Sequence, residues 1–420
     1  MEPNGPLSGT VVAGGAKNSA LKIMAACLLA EGHHELLNVP NIIDVATMSE
    51  LLISMGARVE RRGDGVLVIE SPSTTELSPH APYSLVEKMR ASVVVLGPLL
   101  ARCGQARVSM PGGDDFGHRP IDIHLNGLAA LGSRFETVHG YVEGTVIESR
   151  LVGCHISLEY PSHTATDNLL MAAVLAKGTT IIENAAREPE VIDLADFLNS
   201  MGANVRGAGT SRIEIEGVEE LVPARHRVIA DRVVVATYIA AVGLTGGEIV
   251  IQDARPDHIE MLLTKLKVMG ISAEFGPEGL RVKRPGELRA VDIATLPYPG
   301  IATDYKPFLV TMLTIARGVG IVTENLFSGR FRYIDELRRM GADIRTEGHH
   351  AVVRGVDRLS GAPVRASDIR AGAALVLAGL VAEGGTEVTG ACHVDRGYED
   401  LVGTLCSLGA RVSRGQGGQH

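Results

Sequence analysis

The stretch "EPEVIDLADFLNSMGANVR" (188–206) contains a helix pattern that ends at a glycine and continues as a strand. Apolar residues recur at three- and four-residue spacing up to Met201, which predicts an amphipathic helix. Gly202 can take the left-handed conformation that closes a helix without strain. "NVRGAGTSRIEIEG" (204–217) then alternates around glycines, which predicts a hairpin. The stretch therefore predicts one α/β unit.

The same unit occurs six times along the chain. The residue before the helix-ending glycine recurs at 55, 131, 201, 269, 340 and 408, at intervals of 68 to 76 residues. Between these points a second pattern recurs, an apolar helix that turns into a β-branched strand, as in "VLAKGTTIIENA" (174–185). We predict an α/β protein of two domains with three repeats each, in which helices are buried behind sheets. The other copies of the glycine motif are "LLISMGARVE" (51–60), "LAALGSRFE" (128–136), "KLKVMGISAE" (265–274), "ELRRMGADIR" (336–345) and "TLCSLGARVS" (404–413).

Composition excludes several classes of protein. The formal net charge of −9 argues against a non-specific nucleic-acid binder. The N-terminus has no basic segment followed by an apolar core, and no apolar run reaches the ~20 residues that span a bilayer. We therefore expect a cytoplasmic protein without a membrane partner. The five cysteines form no zinc-binding pattern with histidines, so no metal is expected.

Some copies carry chemistry that a binding scaffold built from repeats would not need. Lys17 follows two glycines and opens a helix pattern, where anions are favoured, although the P-loop pattern is absent. "PGGDDFGHRP" (111–120) places Asp114 beside Asp115, which an ordinary surface turn would also explain. Taken singly, each of five arginines is typical of a surface salt bridge: Arg90, Arg119, Arg330, Arg370 and Arg396. A repeat-built scaffold remains the alternative to an enzyme.

Several long motifs resemble the UDP-N-acetylglucosamine enolpyruvyl transferase family, and the likeness covers essentially the whole chain. They include "GGAKNSALKIMAACLLAEG" (14–32), "MRASVVVLGPLLAR" (89–102), "SDIRAGAALVLAGLVAEG" (367–384) and "DRGYEDL" (395–401). The resemblance implies the enolpyruvyl transferase fold, two inside-out α/β domains that close on substrate. By that analogy one domain comprises residues 1–20 plus 230–420. The other comprises residues 21–229 and carries a mobile loop, 111–120.

The resemblance also implies the reaction. The enolpyruvyl group of phosphoenolpyruvate would pass to a hydroxyl of a uridine nucleotide, and phosphate would be released, without a metal or organic cofactor. The family's usual acceptor is UDP-N-acetylglucosamine, in peptidoglycan synthesis. This chemistry requires an acid for the methylene carbon, a base for the hydroxyl, and cations for the anionic groups.

Five cations are implied to hold phosphoenolpyruvate. Lys17 would contact the molecule directly. Arg90 and Arg119 would bind its phosphate, and Arg370 and Arg396 its carboxylate, since guanidinium groups bind both anions through paired hydrogen bonds.

The other implied residues serve the acceptor. Asp304 would act as the base or orient the hydroxyl, with Arg330 nearby, and Asn18 would help to orient the same hydroxyl. The remaining contacts to the nucleotide would come from Pro120, Ile121, Asp122, Ile123, Ser162, Thr164 and Leu326.

Asp114 occupies the position where most members of the family carry a cysteine. The resemblance implies that it is the acid that protonates the methylene carbon. A neighbouring carboxylate, Asp115, would raise its pKa and the arginines would lower it, and the sequence does not decide between them.

Three short departures from the family's motifs leave the acceptor open. "SHTAT" (162–166) stands where "SVGAT" is usual, "IATD" (301–304) replaces "FPTD", and Ser328 and Gly329 precede the "RF" pair. UMP, in nucleoside-antibiotic synthesis, is the alternative acceptor, because His163 could donate to a terminal phosphate. Shikimate phosphate is disfavoured by "RPIDIH" (119–124), which matches the uridine branch. A non-catalytic regulatory homologue is the alternative from another class.

Overall fold

The computed structural model describes residues 1–63, 65–112, 121–327 and 329–415, which form two compact units. The discontinuous unit comprises residues 1–14 and 230–415, and the inserted unit comprises residues 15–112 and 121–229. Each unit has its own hydrophobic core. The chain passes between the units at residues 14–15 and 229–230. The helix Lys17–Ala26 therefore lies wholly in the inserted unit.

In each unit, a backbone hydrogen bond joins the two chain segments that connect it to the other unit. In the inserted unit, the amide of Ala16 donates to the carbonyl of Ile229, with 2.7 Å between nitrogen and oxygen. In the discontinuous unit, the amide of Asp231 donates to the carbonyl of Gly14 at 2.8 Å. The first and last residues of the inserted unit are therefore neighbours.

Among its described residues, the inserted unit contains three four-stranded sheets with one topology. In each sheet, an edge strand pairs in parallel with the second strand, and the remaining pairs are antiparallel. In spatial order the strands are Arg225–Arg227, Gly32–Leu37, Leu67–Ser71 and Arg58–Arg61; His80–Ala81, Gln105–Ser109, Tyr141–Val146 and Ser133–Val138; and His155–Ser157, Thr179–Glu183, Arg212–Glu216 and Asn204–Arg206.

The described part of the discontinuous unit repeats this topology twice. Its two four-stranded sheets are, in spatial order, Leu7–Val12, Gly247–Gln252, Gly279–Arg284 and Ser272–Gly276; and Ile293–Ala294, Val319–Thr323, His350–Arg354 and Asp343–Glu347. The last repeat has only two short parallel pairs, Leu359–Ser360 with Ala382–Glu383 and Pro363–Arg365 with Glu387–Thr389.

The strand expected after the last helix-ending glycine does not form, so that prediction is wrong. Residues 410–415 contain no strand. The backbone of Arg411 is instead occupied by the N-terminal segment, since its carbonyl accepts from the amide of Glu2 and its amide donates to the side chain of Asn4. No second strand follows that could complete a hairpin among the described residues.

Six helices at the centre of the units are buried almost all round, whereas the strands alternate buried and exposed residues. This is the predicted inside-out arrangement, and it is confirmed. The central helices are α1 (Lys17–Ala26), α2 (Leu96–Cys103), α3 (His163–Ala173), α4 (Arg232–Thr245), α5 (Lys306–Leu313) and α6 (Ile369–Gly379). The peripheral helices are Ile43–Ser54, Tyr83–Val86, Asp122–Ala130, Pro189–Ser200, Glu260–Met269, Ile334–Arg339, Cys392–Asp395 and Leu401–Ser407, and 3-10 helices span Cys27–Leu29, Arg90–Val95 and Pro256–His258.

The helix-ending glycines confirm the repeat. All six have positive φ angles, between 87° and 103°, a region that favours glycine. They are Gly56, Gly132, Gly202, Gly270, Gly341 and Gly409. Within the described ranges no helix combines the length and the apolar character needed to cross a bilayer.

Candidate active site

In the inserted unit, Lys17 lies where the sequence predicted a cation, at the first turn of α1. Its Nζ is 2.6 Å from the Oδ2 of Asp44, and both side chains are almost fully buried. The second glycine before Lys17 is explained by packing, because a Cβ on Gly15 would lie 1.6 Å from the carbonyl oxygen of Asn38. The start of α1 is therefore held against a neighbouring turn, and only glycine fits there.

A buried histidine that sequence reasoning missed, His124, joins three segments of the inserted unit. Its Nδ1 is 3.1 Å from the amide nitrogen of Asn168, and its Nε2 is 3.3 Å from the hydroxyl of Thr164. Because an amide nitrogen can only donate, Nδ1 accepts and the protonated Nε2 donates to Thr164. Burial, with a contribution from Arg90, lowers the pKa of His124 to about 4, so the ring is neutral. Its only sequence signal was its place at the end of "RPIDIH".

The first turn of α3 turns its two unusual side chains inward. Ser162 caps the helix by accepting from the amide of Ala165. The Nε2 of His163 lies 3.2 Å from the Nζ of Lys22 and 3.5 Å from the Oδ2 of Asp167, and its side chain is 19% exposed. Both His163 and Thr164 are thus engaged by side chains of their own unit.

The other residues predicted in the inserted unit have varied surroundings. Ile121 is buried, Asn18 and Ile123 are half-buried, and Asp122 is exposed at the first turn of Asp122–Ala130. Arg90 is half-buried at the start of its 3-10 helix. Asp114, Arg119 and Pro120 lie outside the described residues.

In the discontinuous unit, three of the predicted residues come together: Asp304, Arg330 and Arg370. The Oδ1 of Asp304 is 2.7 Å from the Nη1 of Arg330, and its Oδ2 is 3.5 Å from the Nε of Arg370. Both guanidinium groups are buried, whereas the Asp304 side chain is 26% exposed. Burial alone would lower the pKa of Arg330, but the charge of Asp304 and neighbouring carboxylates raises it overall. Two fixed cations therefore flank one accessible carboxylate.

Arg370 lies at the start of α6, which Asp368 caps by accepting from the amides of Arg370 and Ala371. The Nη1 of Arg370 has no hydrogen-bond partner among the described residues, although it is buried. Its guanidinium carbon lies 5.3 Å from the ring centroid of Tyr398. Arg396, two residues earlier, is half-buried after the helix Cys392–Asp395.

A buried polar network also missed by sequence reasoning surrounds Glu324. Its carboxylate accepts from the hydroxyls of Thr295 and Thr303, both at 2.7 Å, and from the amide of Leu326 at 2.8 Å. The Nζ of Lys306 lies 2.7 Å from its Oε2. Burial would raise the pKa of Glu324, but Lys306 and these hydrogen bonds lower it overall. Leu326, predicted to contact the acceptor, is thus fixed through its backbone.

These features define a class of enzyme. It is built from six α/β repeats, and buried cations at the starts of central helices are suited to binding phosphate and carboxylate groups. A sequence profile of the EPSP synthase (3-phosphoshikimate 1-carboxyvinyltransferase) family matches residues 1–405, so the chain belongs to this family.

Individual relatives agree with this assignment. The UDP-N-acetylglucosamine 1-carboxyvinyltransferase of Nocardia farcinica is 50% identical over 413 residues, 97% of this chain and 96% of its own. The enzyme of the same name from Mycobacterium leprae is 50% identical over 408 residues, again 97% and 96%. The crystal structure of the enolpyruvyl transferase NikO from Streptomyces tendae matches with a TM-score of 0.86 at 26% identity, covering 98% of this chain and 97% of that one. The chain is therefore an enolpyruvyl (1-carboxyvinyl) transferase, as the sequence predicted.

Proposed function

We propose that this enzyme transfers the enolpyruvyl group of phosphoenolpyruvate to a hydroxyl of UDP-N-acetylglucosamine and releases phosphate, a cytoplasmic step of peptidoglycan precursor synthesis. Relatives that carry this name are about half identical to the chain over nearly its whole length. This broad similarity to enzymes named for UDP-N-acetylglucosamine favours that acceptor over UMP.

The observation that carries the proposal is the arrangement around Asp304. A partly exposed carboxylate flanked by two buried guanidinium groups can take a proton from a hydroxyl. The free Nη1 position of Arg370 supplies a donor for an anionic group of the substrate. A base and an anion-binding donor thus lie next to each other in one unit.

The proposed reaction balances without a cofactor. The acceptor oxygen bonds to the central carbon of phosphoenolpyruvate while its proton passes to Asp304, and the methylene carbon takes a proton from an acid. The methylene carbon then returns a proton, the bond to the phosphate oxygen breaks, and the enol ether remains. We assign the acid to Asp114, as the resemblance implies.

We assign the remaining roles by unit. In the inserted unit, Lys17, Arg90 and Arg119 bind phosphoenolpyruvate, while Asn18 orients the acceptor hydroxyl. In the discontinuous unit, Arg370 and Arg396 bind the carboxylate, and Arg330 holds Asp304. The proposed nucleotide contacts are Pro120, Ile121, Asp122, Ile123, Ser162, Thr164 and Leu326. We propose that the two compact units are the two domains of the enzyme.

The surroundings of His163 bear on the choice of acceptor. The alternative acceptor, UMP, depends on His163, which could donate a hydrogen bond to a terminal phosphate. Its Nε2 instead faces Lys22 and Asp167 inside the unit. This geometry supports UDP-N-acetylglucosamine over UMP as the acceptor.

The test is to incubate the enzyme with phosphoenolpyruvate and, separately, UDP-N-acetylglucosamine, UMP or shikimate 3-phosphate. Phosphate release and the mass of each product would be measured. We expect turnover with UDP-N-acetylglucosamine. Turnover with UMP alone would overturn the acceptor, and nucleotide binding without phosphate release from any acceptor would support the non-catalytic alternative.

A further inference from the structure

A lysine–glutamate pair lies behind Asp304 in the discontinuous unit and is completely shielded from solvent. The side chains of Lys306 and Glu324 are both 0% exposed, with 2.7 Å between Nζ and Oε2. The Lys306 ammonium also lies 3.9 Å from the ring centroid of Phe331. Neither member of the pair can contact substrate from this position.

Two routes connect the pair to Asp304. The Nζ of Lys306 donates to the backbone carbonyl of Arg330 at 2.6 Å. The hydroxyl of Thr303 donates to Glu324 at 2.7 Å and accepts from the Nη1 of Arg330 at 3.1 Å. The same Nη1 lies 2.7 Å from the Oδ1 of Asp304. Both the backbone and the guanidinium of Arg330 are therefore anchored to the buried pair.

We propose that Lys306 and Glu324 are positioning residues that hold Asp304 in its reactive orientation through Arg330 and Thr303. The inference rests on the proposed function, in which Asp304 takes the proton of the acceptor hydroxyl. The residues do not touch the reacting atoms and act only through the network.

Charge is what makes this pair suited to positioning. Burying two ions is costly unless hydrogen bonds satisfy them. Here Glu324 accepts from two threonine hydroxyls and from the backbone amides of Leu326 and Phe327. Hydrogen bonds to an ionised group are stronger than those between neutral groups, so they fix this segment more rigidly. A loss of charge should loosen Arg330 without removing any substrate contact.

The protonation of Lys306 provides a signature of this role. Burial lowers the pKa of Lys306 to about 8. The charged groups that face it are Glu324, Arg330 and Asp368. As the pH rises through about 8, Lys306 loses its charge and the pair its attraction, so kcat should fall.

The test compares two double variants that make the same chemical change in the same unit. Lys306→Met with Glu324→Gln neutralises the buried pair while keeping similar volume, which guards against unfolding. Lys283→Met with Glu248→Gln neutralises an exposed pair 3.4 Å apart and serves as the control. We expect the buried double variant to lose about 10²-fold in kcat, the scale of a misplaced catalytic group. Its KM for phosphoenolpyruvate should stay unchanged, and the alkaline limb near pH 8 should disappear.

A second readout needs no substrate and therefore separates this inference from the proposed function. Hydrogen exchange of the amides of Leu326 and Phe327 should accelerate on the order of tenfold in the buried double variant, because a neutral acceptor binds them less strongly. The control variant should exchange like the wild type. Unchanged exchange at these amides would overturn the inference whichever acceptor is used. A wild-type pH profile and kcat in the buried double variant would also overturn it.

Discussion

The two units each bury a lysine against a carboxylate, but in opposite surroundings. In the inserted unit, Lys22 lies 3.2 Å from Asp167, and neither Asp167 oxygen has a well-aligned hydrogen bond from the described residues. In the discontinuous unit, Glu324 accepts several hydrogen bonds besides its contact with Lys306. Burial raises the pKa of Asp167 to about 6, whereas the pKa of Glu324 is lowered.

A buried counter-ion alone therefore does not hold the pKa of a carboxylate at or below its ordinary value. Both carboxylates face a lysine, at 3.2 Å for Asp167 and 2.7 Å for Glu324, so the presence of a lysine does not by itself explain the opposite shifts of their pKa values. Besides their lysines, the hydrogen bonds from Thr295 and Thr303 lower the pKa of Glu324, whereas the charge of Glu190 raises that of Asp167. The hydrogen-bonded pair is also the one connected to a proposed catalytic group.

The largest effect on turnover should come from Asp304, which is connected to Glu324 through Arg330 and Thr303. Asp304→Asn removes the proposed base but keeps a similar shape, so kcat should fall about 10²–10⁴-fold, the usual contribution of general acid–base catalysis. Asp335→Asn, which changes an exposed carboxylate paired with Arg338, is the matched control. Steady-state phosphate release measures both. Near-normal turnover of Asp304→Asn would remove the link between this network and catalysis.

Neutralising each buried pair should change stability in opposite directions. Lys22→Met with Asp167→Asn should leave the free energy of unfolding unchanged or raise it, because a poorly satisfied ion pair is replaced by neutral groups. Lys306→Met with Glu324→Gln should lower it by about 1–3 kcal/mol, because charge-assisted hydrogen bonds are lost. Urea unfolding at neutral pH measures both. A change of the same sign in both variants would contradict the comparison.

The two pairs should also respond differently to acid. The native pKa of Asp167 is raised from 3.8 to about 6, so the native state keeps this proton longer than the unfolded state. As the pH rises from about 4 to 6, the wild type should therefore lose roughly 1–3 kcal/mol of stability relative to the variant Lys22→Met with Asp167→Asn.

Glu324 has a lowered pKa, so its stabilisation is present above its unfolded value and is lost as the pH falls through its native value. Relative to the variant Lys306→Met with Glu324→Gln, wild-type stability should thus fall at low pH. Unfolding curves at several pH values distinguish the two slopes, and parallel slopes would show that the surroundings do not separate the pairs.

The smallest effect should come from replacing His163. Its side chain contacts the Lys22–Asp167 pair, and its removal leaves both members of the pair in place. His163→Val should cost about 0.5–1.5 kcal/mol of stability, the value of one hydrogen bond. Because the ring faces inward, the preference between UDP-N-acetylglucosamine and UMP should shift by less than about 2.3-fold, equivalent to ~0.5 kcal/mol. Specificity constants for both acceptors test this, and a reversal of preference would show that His163 contacts the nucleotide.

The features that could be predicted from sequence are those that repeat. Gly202 and its five counterparts mark the end of each helix because a backbone angle requires glycine, and that requirement is local. The cluster of Asp304, Arg330 and Arg370 could be anticipated only from a family resemblance, because the three residues lie in separate motifs.

What could not be predicted depends on contacts between distant segments. Neither Lys306 nor Glu324 belongs to a sequence pattern that predicts a buried charge, and only packing shows that both are buried. His124 gave no signal beyond its position, because its partners come from two other segments. The missing last strand was also beyond sequence reasoning, since the N-terminal segment occupies the backbone of Arg411 instead.

The hydrogen bond between Ala16 and Ile229 has a consequence for the order in which the chain assembles during synthesis. Strand Leu7–Val12 leaves the ribosome first, yet its partner Gly247–Gln252 is made only after the whole inserted unit. Closing so long a loop in an unfolded chain carries a large entropic cost. Once the inserted unit has folded, its two ends already meet, and the effective loop is reduced to residues 13–14 and 230–246, most of which form the helix Arg232–Thr245. The folded inserted unit then holds the two segments of the discontinuous unit close together. In the nascent chain, the sheets of the inserted unit should therefore form before the sheet that contains Leu7–Val12.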